Sequence, residues 1–200
     1  MHNVKKHDAN KYERQSICNS TSSQSDGQFS NAMKIRQLTF AGVFAALIFI
    51  VTRVIHIPAG AAGGYIHVGD AFVYLAACLL PHPLAFASAA IGAGFSDLFT
   101  PGAAVWILPT VIIKPLCCLP FTNSGKLLQK RNVVASVAAV VITTAGYGAA
   151  TAVITGSTAV AVAEIPFSLV QSSASAVCFF MLSAALDKAG VKFMVTGKKI

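Results

Sequence analysis

The sequence predicts an all-α integral membrane protein of about six transmembrane helices, with both termini cytoplasmic. Three observations predict it. Of the 200 residues 55% are hydrophobic and 11% charged, with a mean hydropathy of +0.67. A soluble domain needs about 25% charged residues to keep its surface wet. The charge is also unevenly spread: between Val54 and Gly125 the only Asp, Glu, Lys or Arg are Asp70, Asp97 and Lys114. Finally, the cations collect at the ends of apolar runs, where they act as topology determinants. Lys5, Lys6, Lys11, Arg14, Lys34 and Arg36 precede the first run; Lys126, Lys130 and Arg131 fill one interior break; Lys188, Lys192, Lys198 and Lys199 follow the last.

Residues 1–33 form a polar extension rich in Ser, Asn, Gln and Lys, with the composition of a disordered segment. It lacks the apolar centre of a secretory signal, and Met33 offers an alternative start. The membrane domain is expected over 34–190. Its first span is Leu38 to about Ile55, long enough to cross the hydrocarbon. A Gly- and Ala-rich loop, His56 to His67, follows. Gly69–Leu80 is apolar but short, and Pro81-His82-Pro83 stops it. Leu84–Phe99 is a second short run, broken by Thr100-Pro101-Gly102. Ala103–Phe121, Val133–Thr155 and Ile165–Leu186 complete the six, and a basic cytoplasmic tail is expected over 191–200. Six crossings place the Lys126–Arg131 loop on the same side as both termini, as the positive-inside rule requires; five would separate them.

The +8 formal charge does not indicate nucleic acid, because no basic stripe alternates with aromatics. Cys78, Cys117, Cys118 and Cys178 lie in apolar runs without ligand spacing, so they read as small buried hydrophobes and no metal or cofactor is expected. Catalysis is not expected either. Gly94-Phe95-Ser96-Asp97 departs from an intramembrane serine-protease motif at Asp97, and all five histidines fall at or before His82, leaving no base on a later helix. No HExxH, Walker A or paired-carboxylate cluster occurs.

Polar groups inside lipid are costly unless paired, so each needs a reason. Lys114 lies mid-span, either paired with Asp70 or Asp97 or in contact with a ligand. Asp70 opens its helix, where a carboxylate suits the helix dipole. Asp97 closes a helix near the outer face and is expected to meet water. Trp106, the single tryptophan, serves as an interfacial anchor or as a flat stacking surface. Glu164-Ile165-Pro166 is read as the first turn of the last helix, with Ser168 and Gln171 sharing a face beyond it. Small residues repeat every four positions at Ala41 and Ala45, and at Ala85, Ala89 and Ala93. These are helix interfaces, within the chain or toward another protein.

Six short helices, Ala41/Ala45, Gly64-Tyr-Ile-His-Val-Gly-Asp70, the run Trp106 to Lys114 and the segment Glu164 to Gln171 together resemble the S components of energy-coupling factor (ECF) transporters, closest to the riboflavin-transporter-like subgroup. The resemblance covers about Met33 to Gly190. It implies an S-component-like bundle that binds a water-soluble vitamin or precursor for uptake. It further implies partnership with a transmembrane coupling subunit and two cytoplasmic ATPases, which supply the ATP hydrolysis this chain cannot. Carried onto this sequence, the substrate-binding residues are Tyr65, His67, Trp106, Lys114, Tyr147, Glu164, Ser168 and Gln171, and the docking pair is Ala41 and Ala45. Ser168 stands where related sequences often have asparagine, and a hydroxyl does not reproduce an amide's paired donor and acceptor. The alternatives are a self-sufficient permease and, less favoured, a small membrane enzyme. The aromatic and polar set suits a flat heterocycle such as a pyrimidine, pyridine or flavin.

Overall fold

Apolar runs fold as helices in lipid because only a backbone that bonds to itself is tolerated there. The computed structural model describes residues 31–59 and 65–196. Helix α1 spans Asn31–Val54. A two-stranded ribbon follows, β1 (Ile57–Pro58) antiparallel to β2 (Tyr65–Ile66), with Ile57 opposite Ile66 and Pro58 opposite Tyr65. Then come α2 (Asp70–Leu79), α3 (His82–Phe99), a 3₁₀ turn (Ala104–Trp106) leading into α4 (Ile107–Cys118), α5 (Lys130–Thr155), α6 (Thr158–Lys188) and α7 (Val191–Thr196).

Six principal helices therefore follow the apolar runs, but three boundaries differ from the sequence reading. The expected full span over Ala103–Phe121 is a 12-residue helix after its 3₁₀ turn, so the short members are α2 and α4. The last long helix begins at Thr158, capped by the Ser157 hydroxyl, which accepts from the Val160 amide at 3.4 Å. Pro166 thus lies inside α6, and Glu164 is two turns into the helix, not at its start. Gly156, at φ 64° in the left-handed region, turns the chain from α5 directly into that cap. Third, residues 31–33, read as the end of the polar extension, already belong to α1; residues 1–30 lie outside the described residues. Of the basic tail, 191–196 form α7 with Lys192 buried, and 197–200 lie outside the described residues.

The bundle, Gln37–Ile200, is held by small residues that let backbones approach. Ala85, Ala89 and Ala93 are all buried along α3. A Cβ on Gly92 would stand 2.5 Å from the Ala45 carbonyl oxygen, so α1 and α3 touch there through backbone. A Cβ on Gly146 of α5 would stand 2.9 Å from the Ile113 side chain of α4. The remote end of the core is aromatic: Tyr74 stacks on Phe121 at 5.1 Å, and Phe179 meets both rings edge-on. At that end the Asp187 carboxylate accepts from the Leu127 and Leu128 amides, each at 2.9 Å. The outer skin is apolar, with Val153 84% and Leu108 71% exposed. Such a surface is stable against hydrocarbon and not against water.

Candidate functional site

Four helices and the ribbon bring one stripe each to a single cavity. The last turn of α3 contributes Asp97, one turn beyond Ala93. The α4 stripe is Trp106, Thr110 and Lys114, spaced by four. Helix α5 contributes Tyr147 and Thr151, again spaced by four, and α6 contributes Glu164, Phe167, Ser168 and Gln171. Helical geometry puts each set on one face. The ribbon and the chain after it add Tyr65, Ile66 and His67. Counting the open solvent at its mouth, the space between these residues is about 660 Å³. All eight residues expected to bind substrate line this one cavity.

Lys114 is buried and its Nζ donates to both carboxylate oxygens of Asp70, at 2.7 and 2.9 Å. The same Nζ lies 5.0 Å from the centroid of the Tyr147 ring, a cation–π contact. Of the two readings open for Lys114, the structure realises the pair, and with Asp70. Asp70 does open α2, but its side chain turns to the lysine and caps no backbone amide. Two buried charges are tolerated because each satisfies the other.

Ring chemistry fills the rest of the wall. Trp106 and Tyr147 have centroids 6.1 Å apart, inclined at 51°, and the Tyr147 and Thr110 hydroxyls share a hydrogen bond at 2.9 Å. Trp106 is buried against the cavity and is no interfacial anchor. On the ribbon side Tyr65 lies between His56, at 4.1 Å, and His67, at 5.5 Å. The Tyr65 hydroxyl donates to Asp97 Oδ1, and burial pushes its own proton affinity up. Asp97 is only 3% exposed. The expectation that it faces water is corrected, because the ribbon folds over it.

His67 has a defined tautomer. The Gly69 amide donates to Nδ1 at 3.1 Å, so Nδ1 carries a lone pair and the ring proton sits on Nε2. Nε2 lies 3.3 Å from the amide nitrogen of Gln171. Loss of solvation pushes the imidazole down to about 4, so His67 is neutral at physiological pH. Ser175 Oγ holds the same residue through its carbonyl, at 3.4 Å.

Ala41, expected as one of the docking pair, packs inside the bundle. It is 6% exposed, and its carbonyl accepts from Ser88 Oγ of α3 at 2.8 Å. Ala45, half-buried, sits over Gly92. Ala41 faces α3, Ala45 is partly exposed, and the neighbouring Gly42 and Ala46 are exposed. A spacing of four marks a stripe but does not say which neighbour it faces.

Compared with known proteins, residues 32–188 match the profile of the family described as ECF-type riboflavin transporter, S component. The chain belongs to this family. A solved chain from work on the structure and mechanism of the S component of a bacterial ECF transporter superposes with a TM-score of 0.65 at 15% identity. The match covers 78% of this chain and 98% of that one. No curated protein matches. The S-component fold, a membrane location and the role of substrate-specific subunit of an ECF transporter follow. S components are transporter subunits, not an enzyme class.

The sequence reading missed Asp97, Thr110 and Thr151 as lining residues. The signal was present: Asp97 continues the buried Ala85/Ala89/Ala93 stripe by one turn, Thr110 is four residues before Lys114, and Thr151 four after Tyr147.

Proposed function

We propose that this S component binds riboflavin, or a flat vitamin of the same type, in the cavity between α3, α4, α5, α6 and the ribbon. One observation carries the reading: stripes from four helices converge with aromatic faces and buried hydrogen-bonding groups on the same space. Trp106 and Tyr147 offer π surface to a planar ring system. The ring's polar edge meets donors and acceptors already held in place. Two N–H groups of Lys114 are engaged by Asp70, leaving the third to a ligand carbonyl. Glu164, Ser168 and Gln171 line one side of the cavity. Holding polar groups in place before binding reduces the ordering cost of association. Tyr65 and His67 form the wall through which the ligand enters, so the ribbon closes behind it.

Uptake then needs a transmembrane coupling subunit and two cytoplasmic ATPases, and α1 supplies the contact through its exposed Gly42/Ala46 face. The binding claim is tested by titrating detergent-purified protein into riboflavin and following flavin fluorescence. Stacking on Trp106 and Tyr147 should quench it saturably, at one flavin per chain. Unchanged fluorescence at micromolar protein, with no flavin retained on gel filtration, would remove riboflavin as the substrate.

A further inference from the structure

The cavity wall contains a carboxylate that the vitamin-binding reading does not yet use. Asp97 is buried, lines the cavity and pairs with no cation among the described residues. Its Oδ1 accepts from the Tyr65 hydroxyl, while Oδ2 is buried without a hydrogen-bond partner. The Thr110 hydroxyl, close to this carboxylate, also bonds the Tyr147 hydroxyl at 2.9 Å. An ionised carboxylate accepts only, and a buried oxygen left without a donor is costly. A donor on what fills the cavity would complete this group.

We infer that Asp97 is a specificity-determining residue, whose Oδ2 accepts a hydrogen bond from an O–H or N–H of the bound vitamin. The inference rests on the cavity being the vitamin site. Riboflavin presents two such sources, the hydroxyls of its sugar-alcohol chain and the N–H of its ring. Asp97 therefore selects ligands that carry a donor toward the α3 wall and rejects those that carry an acceptor or an alkyl group there.

The test compares three flavins by fluorescence titration: riboflavin, lumiflavin (which lacks the hydroxyl chain) and 3-methylriboflavin (which lacks the ring N–H). The proteins are wild type, Asp97→Asn and Tyr65→Phe, each checked for monodispersity. Asn keeps the shape but turns a donor or a weaker acceptor toward the ligand. The wild type should lose about tenfold or more in affinity toward one of the two analogues, which names the donor. Asp97→Asn should lose about tenfold or more for riboflavin and no longer distinguish it from that analogue. Tyr65→Phe should keep the distinction, because it leaves the carboxylate in place. Equal wild-type affinity for all three flavins overturns the proposal, as does riboflavin binding by Asp97→Asn within about twofold of wild type. Full reproduction of the Asn defect by Tyr65→Phe also overturns it, since Asp97 would then serve only to hold the ribbon. If Asp97→Asn does not fold, Asp97→Ser is read by the same criteria. A wild type that binds no flavin at all removes the riboflavin reading first, and this inference with it.

Discussion

Lys114 and Asp70 are a coupled unit, and neither residue tolerates loss of the other. Lys114→Met would leave the Asp70 carboxylate buried and uncompensated. Breaking one partner of such a pair costs about 3–5 kcal/mol. The expected outcome is a large drop in the thermal midpoint of the detergent-purified protein, larger than for Lys114→Met combined with Asp70→Leu, where no orphaned charge remains. Equal midpoints for the single and double variants would show that the pair is not coupled. The residue scale is also where the sequence was most informative about the cavity. All eight residues that the resemblance assigns to substrate binding reach it. What could not be read was pairing. Lys114 had two candidate acids, 44 and 17 positions away in sequence, and only the packing of α2 against α4 chose Asp70.

At the scale of the element, one-dimensional periodicity marks stripes and leaves their neighbours unnamed. Ala41 and Ala45 have the spacing of an interface, and they are one, with α3. Their neighbours Gly42 and Ala46 are exposed, and a side chain on Gly42 would meet nothing within 4 Å. Two sets of substitutions separate these faces. Ala41→Trp and Gly92→Leu should disrupt the α1–α3 contact, lowering thermal stability and flavin binding together, since overpacking a close helix crossing costs about 1–3 kcal/mol or more. Gly42→Trp and Ala46→Trp should leave flavin binding within about twofold of wild type but abolish uptake by cells that hold the energising module. Intact uptake in the second set would move docking off α1. The start of α6 shows a different limit. Pro166 is as compatible with a first turn as with a helix interior whose lost bond is tolerated, and the Ser157 cap nine residues earlier decides the matter.

Across the whole molecule, the positive-inside rule makes the clustered cations the expected determinant of orientation. Reporter fusions after Arg131 and after Lys199 should both read cytoplasmic, and an external signal at either would break the six-crossing topology. Composition and periodicity along the chain were enough for the lipid environment and for the number and order of the principal helices, but left Asp97, Thr110 and Thr151 unassigned to the cavity. The pairing of Lys114 with Asp70, the ribbon's cover over Asp97 and the contact of Ala41 with α3 emerged only with the packed fold. These are relations between residues far apart in sequence. In a bilayer, where all the helices are apolar, hydrophobicity does not choose between helix partners; close steric fit at Gly92 and Gly146 does.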